Sequence, residues 1–162
     1  MIHHLSIHAR DPRHVASVLV EMFGGTLTGF GPYPDSFIAW MGDDHGTAIE
    51  VYPRGTEMFP DAGAGQANFR RAQQPSPFTA THAAISINRS AEEILAFGHR
   101  EGWRAVELPR GPNHVIEFWI ENAVMIELMT PAMARDYISA TQKFRHGEHA
   151  LRSIESRGPS NK

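Results

Sequence analysis

The sequence predicts an α+β fold in which two successive modules share the element order β-α-β-β-β. Two alternating strand patterns, one at the start of the chain and one past its middle, are each followed by a capped helix and three further strand segments. The second pattern repeats the first at a nearly constant offset, since His82 follows His4 by 78 residues and Glu127 follows Glu50 by 77. A chain of 162 residues is long enough to bury a core around such a duplicated unit.

The first module covers residues 1–53. Its strands are expected at residues 2–9, 26–30, 37–41 and 47–52. The helix after the first strand is expected to begin at Asp11 and Pro12, because Asp caps helices and Pro fits the first turn. Gly24 and Gly25 end this helix.

The second module covers residues 81–131 and repeats this order. Its strands are expected at residues 81–88, 104–108, 114–121 and 124–129. Its helix is expected to begin at Ser90, because Ser90 and Glu93 have the spacing of a capping box. The same element order in both halves supports a duplicated unit.

Two further segments lie outside the modules. Residues 54–80 form a linker rich in Gly, Pro and Ala, in which one short helix is expected around residues 67–71. Residues 132–162 are expected to form a helical extension that ends in a disordered tail. Together with the modules, these segments are expected to make one structural domain.

The composition excludes several classes of function. The chain has no cysteine, so disulfides, iron–sulfur ligation and a thiol nucleophile are excluded. With 15 basic and 18 acidic side chains it offers no basic surface for nucleic acid. No apolar run is long enough for a membrane span, and the N-terminus lacks the layout of a signal peptide. We therefore expect a cytoplasmic protein whose partner is a small molecule.

Four repeated residues suggest a metal site. Glu50 and Glu127 each lie between two aliphatic residues on a predicted strand, so each carboxylate faces away from the aliphatic side chains. A carboxylate on an inward strand face is costly unless it is paired or bound to a metal. Together with His4 and His82 they form a nitrogen and oxygen set that suits a divalent ion such as Zn, Ni, Fe, Co or Mn.

Five other residues are candidate substrate contacts. They are His8, Tyr52, His114, Met125 and Met129. His8 shares a strand face with His4 but lies about 13 Å along it, so the two cannot hold one ion. Tyr52 shares the face of Glu50, and the two methionines flank Glu127 on its face, where they suit an apolar pocket wall or ordinary core packing. The sequence does not show whether the strand face that carries Glu117 and Trp119 points inward.

These motifs resemble those of the vicinal oxygen chelate superfamily, which includes glyoxalase I, extradiol dioxygenases and the fosfomycin and bleomycin resistance proteins. The segment HLSIHARD from His4 to Asp11 resembles the opening strand of that superfamily, and HAAISI from His82 resembles its counterpart in the second module. The segments IEV around Glu50 and IEL around Glu127 resemble its two carboxylate strands. The set of two His and two Glu is most similar to that of glyoxalase I.

The resemblance implies a cup-shaped mixed sheet and a metal held by His4, Glu50, His82 and Glu127. It implies a lyase or isomerase in which the metal binds two adjacent substrate oxygens and stabilises an enediolate-like intermediate. Glu50 or Glu127 would then be the catalytic group that moves a proton. A homodimer is implied as well, with the modules pairing either within one chain or between two chains.

Two alternatives stay open. The same fold and metal could serve an iron-dependent ring-cleaving dioxygenase of the extradiol type, although such enzymes carry no carboxylate at the position of Glu50. The fold could also serve a non-catalytic protein that binds a small molecule, as resistance proteins of this superfamily do.

Overall fold

The computed structural model describes residues 2–31, 33–62, 65–110 and 113–142. In these ranges the chain forms two four-stranded mixed sheets, a two-stranded hairpin and three helices. The expectations for the tail beyond residue 142 lie outside the described residues.

The first module has the predicted order of elements. They are β1 (His4–Ala9), α1 (Pro12–Phe23), β2 (Thr26–Gly29), β3 (Phe37–Trp40) and β4 (Ala48–Pro53). The sheet order is β1-β4-β3-β2, with β1 parallel to β4 and the other neighbours antiparallel. The register places Ser6 opposite Glu50 and His8 opposite Tyr52.

The second module repeats this topology. Its elements are β7 (Ala84–Ser86), α2 (Ala91–Glu101), β8 (Ala105–Arg110), β9 (Asn113–Ile120) and β10 (Val124–Met129), followed by α3 (Pro131–Gln142). The sheet order β7-β10-β9-β8 again has its first strand parallel to its last. The predicted α+β class with two modules is confirmed, whereas the cup shape stays a prediction.

The linker differs from the prediction. Residues 67–71 were expected to be helical, but β5 (Thr56–Phe59) and β6 (Asn68–Arg71) form an antiparallel hairpin. The helix prediction was wrong because a segment of five residues is too short to hold a helix unless it packs well, and here Phe69 pairs with Met58 instead.

Local sequence signals account for the limits of both module helices. Asp11 accepts a hydrogen bond from the His14 backbone N–H, and Gly24 ends α1 with a left-handed φ of 78°. Ser90 and Glu93 form the predicted capping box of α2. Each helix covers one face of its own sheet, and alternate residues of β1, β9 and β10, among them Ile7, Phe118 and Ile126, are buried in this core. The intervening residues line the opposite faces, which carry the candidate site.

The second module completes both ends of α1. The Glu121 carboxylate accepts hydrogen bonds from the backbone N–H groups of Arg10 and Asp11, just before the helix begins. At the other end, the Arg89 guanidinium donates to the carbonyl oxygens of Glu21 and Met22. A negative charge at the N-terminus and a positive charge at the C-terminus both stabilise a helix dipole. The two modules are therefore joined through polar contacts at α1 as well as through the core.

Candidate functional site

Five side chains of the first sheet share the face that lies away from α1. β1 contributes His4, Ser6 and His8, and β4 contributes Glu50 and Tyr52. The parallel register of these two strands brings Ser6 beside Glu50, in the middle of the set. Sequence alone could not identify Glu50 as the partner of Ser6, because the pairing depends on the register of β1 with β4.

The two carboxylate oxygens of Glu50 have different neighbours. Oε2 accepts a hydrogen bond from the Ser6 hydroxyl at 2.8 Å and another from the Tyr52 hydroxyl at 3.3 Å. Oε1 lies 3.8 Å from Nε2 of His4. The Glu50 side chain is only 13 % exposed, whereas His4 is 58 % exposed. Glu50 is thus held in place through one oxygen, and the other faces an accessible imidazole.

The environment of Tyr52 keeps its hydroxyl protonated. Burial, together with the neighbouring charge of Glu50, raises the pKa of Tyr52 to about 12. Its ring packs against Phe30, Tyr33 and Phe69, with centroid distances of 5.6, 6.2 and 5.7 Å. Tyr52 therefore stays a hydrogen-bond donor to Glu50 across the neutral pH range.

A cleft of about 190 Å³ opens beside these residues. It is lined by Ser6, Ile7, His8, Tyr52, Thr56, Met58, Phe69, Thr79, Thr81 and Val124. Two of the predicted substrate contacts, His8 and Tyr52, lie in its wall. The hairpin supplies Met58 and Phe69, which the sequence did not indicate because the pairing of β5 with β6 has no strong turn signal.

On the second sheet, the carboxylate of Glu127 is bound by arginine. Glu127 on β10 lies directly opposite Glu117 on β9. Arg110 bridges them, with Nε 2.9 Å from Glu127 and Nη2 2.6 Å from Glu117. Arg104 also contacts Glu117, at 2.7 Å. The resulting network of two arginines and two carboxylates is formally neutral.

The same network perturbs the titration of Glu117. Hydrogen bonds from the Trp119 indole and from Arg104 lower the pKa of Glu117, and the charge of Arg110 acts in the same direction. The register settles the question that the sequence left open, since Glu117 and Trp119 face the same way as Glu127 and Met125. Sequence reasoning missed Arg110 because no periodic signal links a residue at the end of β8 to one on β10.

His82 lies outside its predicted strand, whereas His114 lies near the start of a strand as predicted. β7 begins at Ala84, so His82 precedes the strand that it was expected to start, and its Nδ1 lies 3.0 Å from the Ala80 carbonyl oxygen. His114 is exposed, lies 3.5 Å from Glu107, and alternates to the opposite face of β9 from Glu117. His114 does not line the cleft on the first sheet, and its contact with a substrate stays a prediction.

The two predicted methionines lie on the face of Glu127. Met125 is opposite Trp119, and Met129 is opposite Ser86. Met129 is buried, whereas Met125 is only partly so. Their apolar side chains lie beside Glu127, and they do not line the cleft on the first sheet.

A divalent ion fits the described residues only in part. His4 Nε2 and Glu50 Oε1 are separated by 3.8 Å, close to the roughly 3.4 Å that separates two donors of one tetrahedral zinc ion. Glu127 is already neutralised by Arg110, and His82 is turned to a backbone carbonyl. Within the four described ranges, no group of three or more His, Asp or Glu side chains could hold a metal ion.

Comparisons with known proteins identify the fold. No protein-family model matches the sequence, and no curated protein matches it either. Among solved structures, the chain is similar to the genomically encoded fosfomycin resistance protein of Listeria monocytogenes (15 % identity, TM-score 0.52, covering 84 % of this chain and 97 % of that one). It is also similar to the trypanothione-dependent glyoxalase I of Leishmania major (13 % identity, TM-score 0.52, 90 % and 97 % covered).

A third similar structure is the fosfomycin resistance protein of Mesorhizobium loti, with 14 % identity, a TM-score of 0.50, and 85 % and 96 % of the two chains covered. The resemblance to the vicinal oxygen chelate superfamily, predicted from the four motifs, is thereby confirmed as a likeness of fold. Of the helices in the described ranges, none is long and apolar enough to cross a membrane.

Proposed function

We propose that this protein is a metal-dependent enzyme of the glyoxalase type, a lyase or isomerase whose small substrate carries two adjacent oxygens. The observation that carries the proposal is the half-site on the first sheet. Glu50 Oε2 is fixed by two neutral donors while Oε1 is directed toward His4. This arrangement holds a carboxylate in a defined orientation without neutralising it, as a metal ligand requires.

We propose further that a homodimer completes the site. In the described ranges, each chain presents His4 and Glu50 on the first sheet, and Glu127 on the second sheet with His82 just before β7, without joining the two pairs. A two-fold axis between two copies can bring the first pair of one copy to the second pair of the other. In that assembly Glu127 would exchange its contact with Arg110 for the ion.

Within this proposal each residue has a definite part. His4, Glu50, His82 and Glu127 would hold the ion, which when bound would polarise two adjacent substrate oxygens as a Lewis acid. Ser6 and Tyr52 keep Glu50 oriented through Oε2. The carboxylate of Glu50 or of Glu127 would take up and return a substrate proton, and His8 and Tyr52 would contact the substrate in the cleft.

Metal content and chain mixing test the proposal together. The purified protein should take up one divalent ion per chain, and both His4→Ala and Glu127→Gln should abolish this uptake. If each site combines two chains, co-refolding these two variants should restore about a quarter of the wild-type metal content, because half of the dimers are mixed and each has one intact site. Elemental analysis after desalting measures the ion.

A matched control uses two changes in the same half-site. Mixtures of His4→Ala with Glu50→Gln should recover no metal, because every mixed dimer carries one defect in each site. Wild-type protein that takes up no divalent ion would refute the metal proposal. Uptake by wild type without recovery in the first mixture would place the site within one chain.

The ion pair between Arg110 and Glu127 favours a second candidate function. With Glu127 neutralised by a guanidinium, the protein could bind a small molecule in the cleft without any metal. This candidate predicts that metal-free protein binds its ligand as tightly as metal-loaded protein and does not convert it. Conversion that depends on added metal would contradict it.

A further inference from the structure

We infer that the cleft beside Glu50 takes a neutral ligand with a single aromatic ring, and that the β5–β6 hairpin supplies the wall that selects it. The inference deepens the proposed function and rests on it in one respect, namely that the cleft binds a small molecule. It does not require the metal. The hairpin lies outside both repeated modules, so its residues are specific to this linker.

Stacked aromatic rings form one side of the cleft. Phe69 stacks on Tyr52, with the two ring planes inclined by 24° and a centroid distance of 5.7 Å. The ring of Tyr33 also packs against Phe69, with a centroid distance of 5.5 Å. Both Tyr52 and Phe69 line the cleft. A wall of fixed rings favours a flat aromatic partner, because offset and edge-to-face ring contacts add to the gain from burying apolar area.

The other residues that line the cleft include polar side chains but no lysine or arginine. Four residues that carry hydroxyl groups, Ser6, Thr56, Thr79 and Thr81, line the cleft together with His8. None of the described residues that line it is Lys or Arg. The Glu50 carboxylate, bonded to both Ser6 and Tyr52, stands behind this wall. A neutral ring bearing a hydroxyl group suits these surroundings better than a carboxylate does.

The size of the cleft agrees with one ring. Its volume is about 190 Å³, and an apolar cavity of about 150 Å³ is enough to bind benzene. The remaining volume admits a short polar substituent. A fused two-ring system would have to project into solvent.

Strand alternation in the hairpin provides a matched pair of phenylalanines. Met58 and Phe69 are register partners and both face the cleft. Phe59 alternates to the other face, where the Arg70 guanidinium lies 5.2 Å from its ring centroid. A change at Phe59 therefore removes an aromatic ring from the same hairpin without touching the cleft.

The test titrates metal-free full-length protein with benzyl alcohol, cyclohexylmethanol and benzoate by ligand-detected NMR. Benzyl alcohol should bind at least about fivefold more tightly than either of the other two, the size expected for one aromatic contact. Phe69→Ala should weaken its binding by about the same factor, and Phe59→Ala should leave it unchanged.

Equal binding of cyclohexylmethanol, or an equal loss in Phe59→Ala and Phe69→Ala, would overturn the inference, as would an absence of benzyl alcohol binding to folded wild type. If Phe69→Ala does not fold, Met58→Ala takes its place with the same expected direction. Because this titration needs no metal, its result is separate from the elemental analysis. Benzyl alcohol binding by protein that takes up no ion would refute the metal enzyme and keep the aromatic cleft.

Discussion

Glu50 and Glu127 hold equivalent places in the two modules, yet their neighbours differ at each equivalent position. Opposite Glu50 on the parallel strand is Ser6, which donates to it, whereas Ala84 is opposite Glu127. On the antiparallel strand, Ile38 is opposite Glu50, whereas the second carboxylate, Glu117, is opposite Glu127.

The difference follows from these neighbours. Glu50 receives neutral hydroxyl donors and keeps its charge available to a ligand. Glu127 faces another carboxylate, and like charges at directly opposed positions destabilise a sheet unless a cation lies between them. Arg110 is that cation. A duplicated backbone can therefore preserve a carboxylate position while its neighbours decide whether the carboxylate is available for binding or serves structure.

Of the changes considered, the removal of Arg110, which lies between the two carboxylates, should have the largest effect on stability. Arg110→Ala leaves Glu117 and Glu127 opposed without the guanidinium between them, so we expect the free energy of unfolding to fall by about 2 kcal/mol. Urea denaturation at neutral pH measures the change. The matched control is Arg70→Ala, whose well-exposed pair with Glu57 should contribute less than about 1 kcal/mol. Equal losses in both variants would show that Arg110 has no special part.

The first module should respond less to the loss of a neutral donor. Tyr52→Phe removes one of two hydrogen bonds to Glu50 Oε2 and leaves the ring cluster in place. We expect a loss of about 1 kcal/mol in the free energy of unfolding. Tyr33→Phe keeps both donors to Glu50 and serves as the control. A loss larger than that of Arg110→Ala would reverse the comparison.

The smallest effect should appear in how the free energy of unfolding changes at acidic pH. Because the folded-state pKa of Glu117 lies below its ordinary value of 4.5, this residue contributes stability that is present above about pH 4.5 and is lost as the pH falls through the folded pKa. Glu117→Gln should therefore show a smaller drop in unfolding free energy between pH 7 and pH 3.5 than wild type does. Parallel curves for the two proteins would contradict this assignment.

The sequence was sufficient for the modules and for one half of the candidate site. Strand alternation, helix caps and the repeated offset are local signals, and they located β1, β4 and β10 and placed His4, Glu50 and Tyr52 correctly on their strands. The partners of Glu127 depend on how β8 and β9 align, which no local pattern specifies. Alternation also could not show whether the Glu117 face of β9 points inward, and the start of β7 at Ala84 depends on its pairing with β10.

The polar contacts at the two ends of α1 have a consequence for synthesis on the ribosome. The first module is complete by Pro53, but the Arg89 that binds the last carbonyls of α1 and the Glu121 that binds the amides before it are translated later. Until those residues emerge, α1 has only its local caps, Asp11 at its start and Gly24 at its end. The contacts from Arg89 and Glu121 are added only when these later residues arrive. The last turn of each end should therefore gain protection from hydrogen exchange after the middle of the helix does.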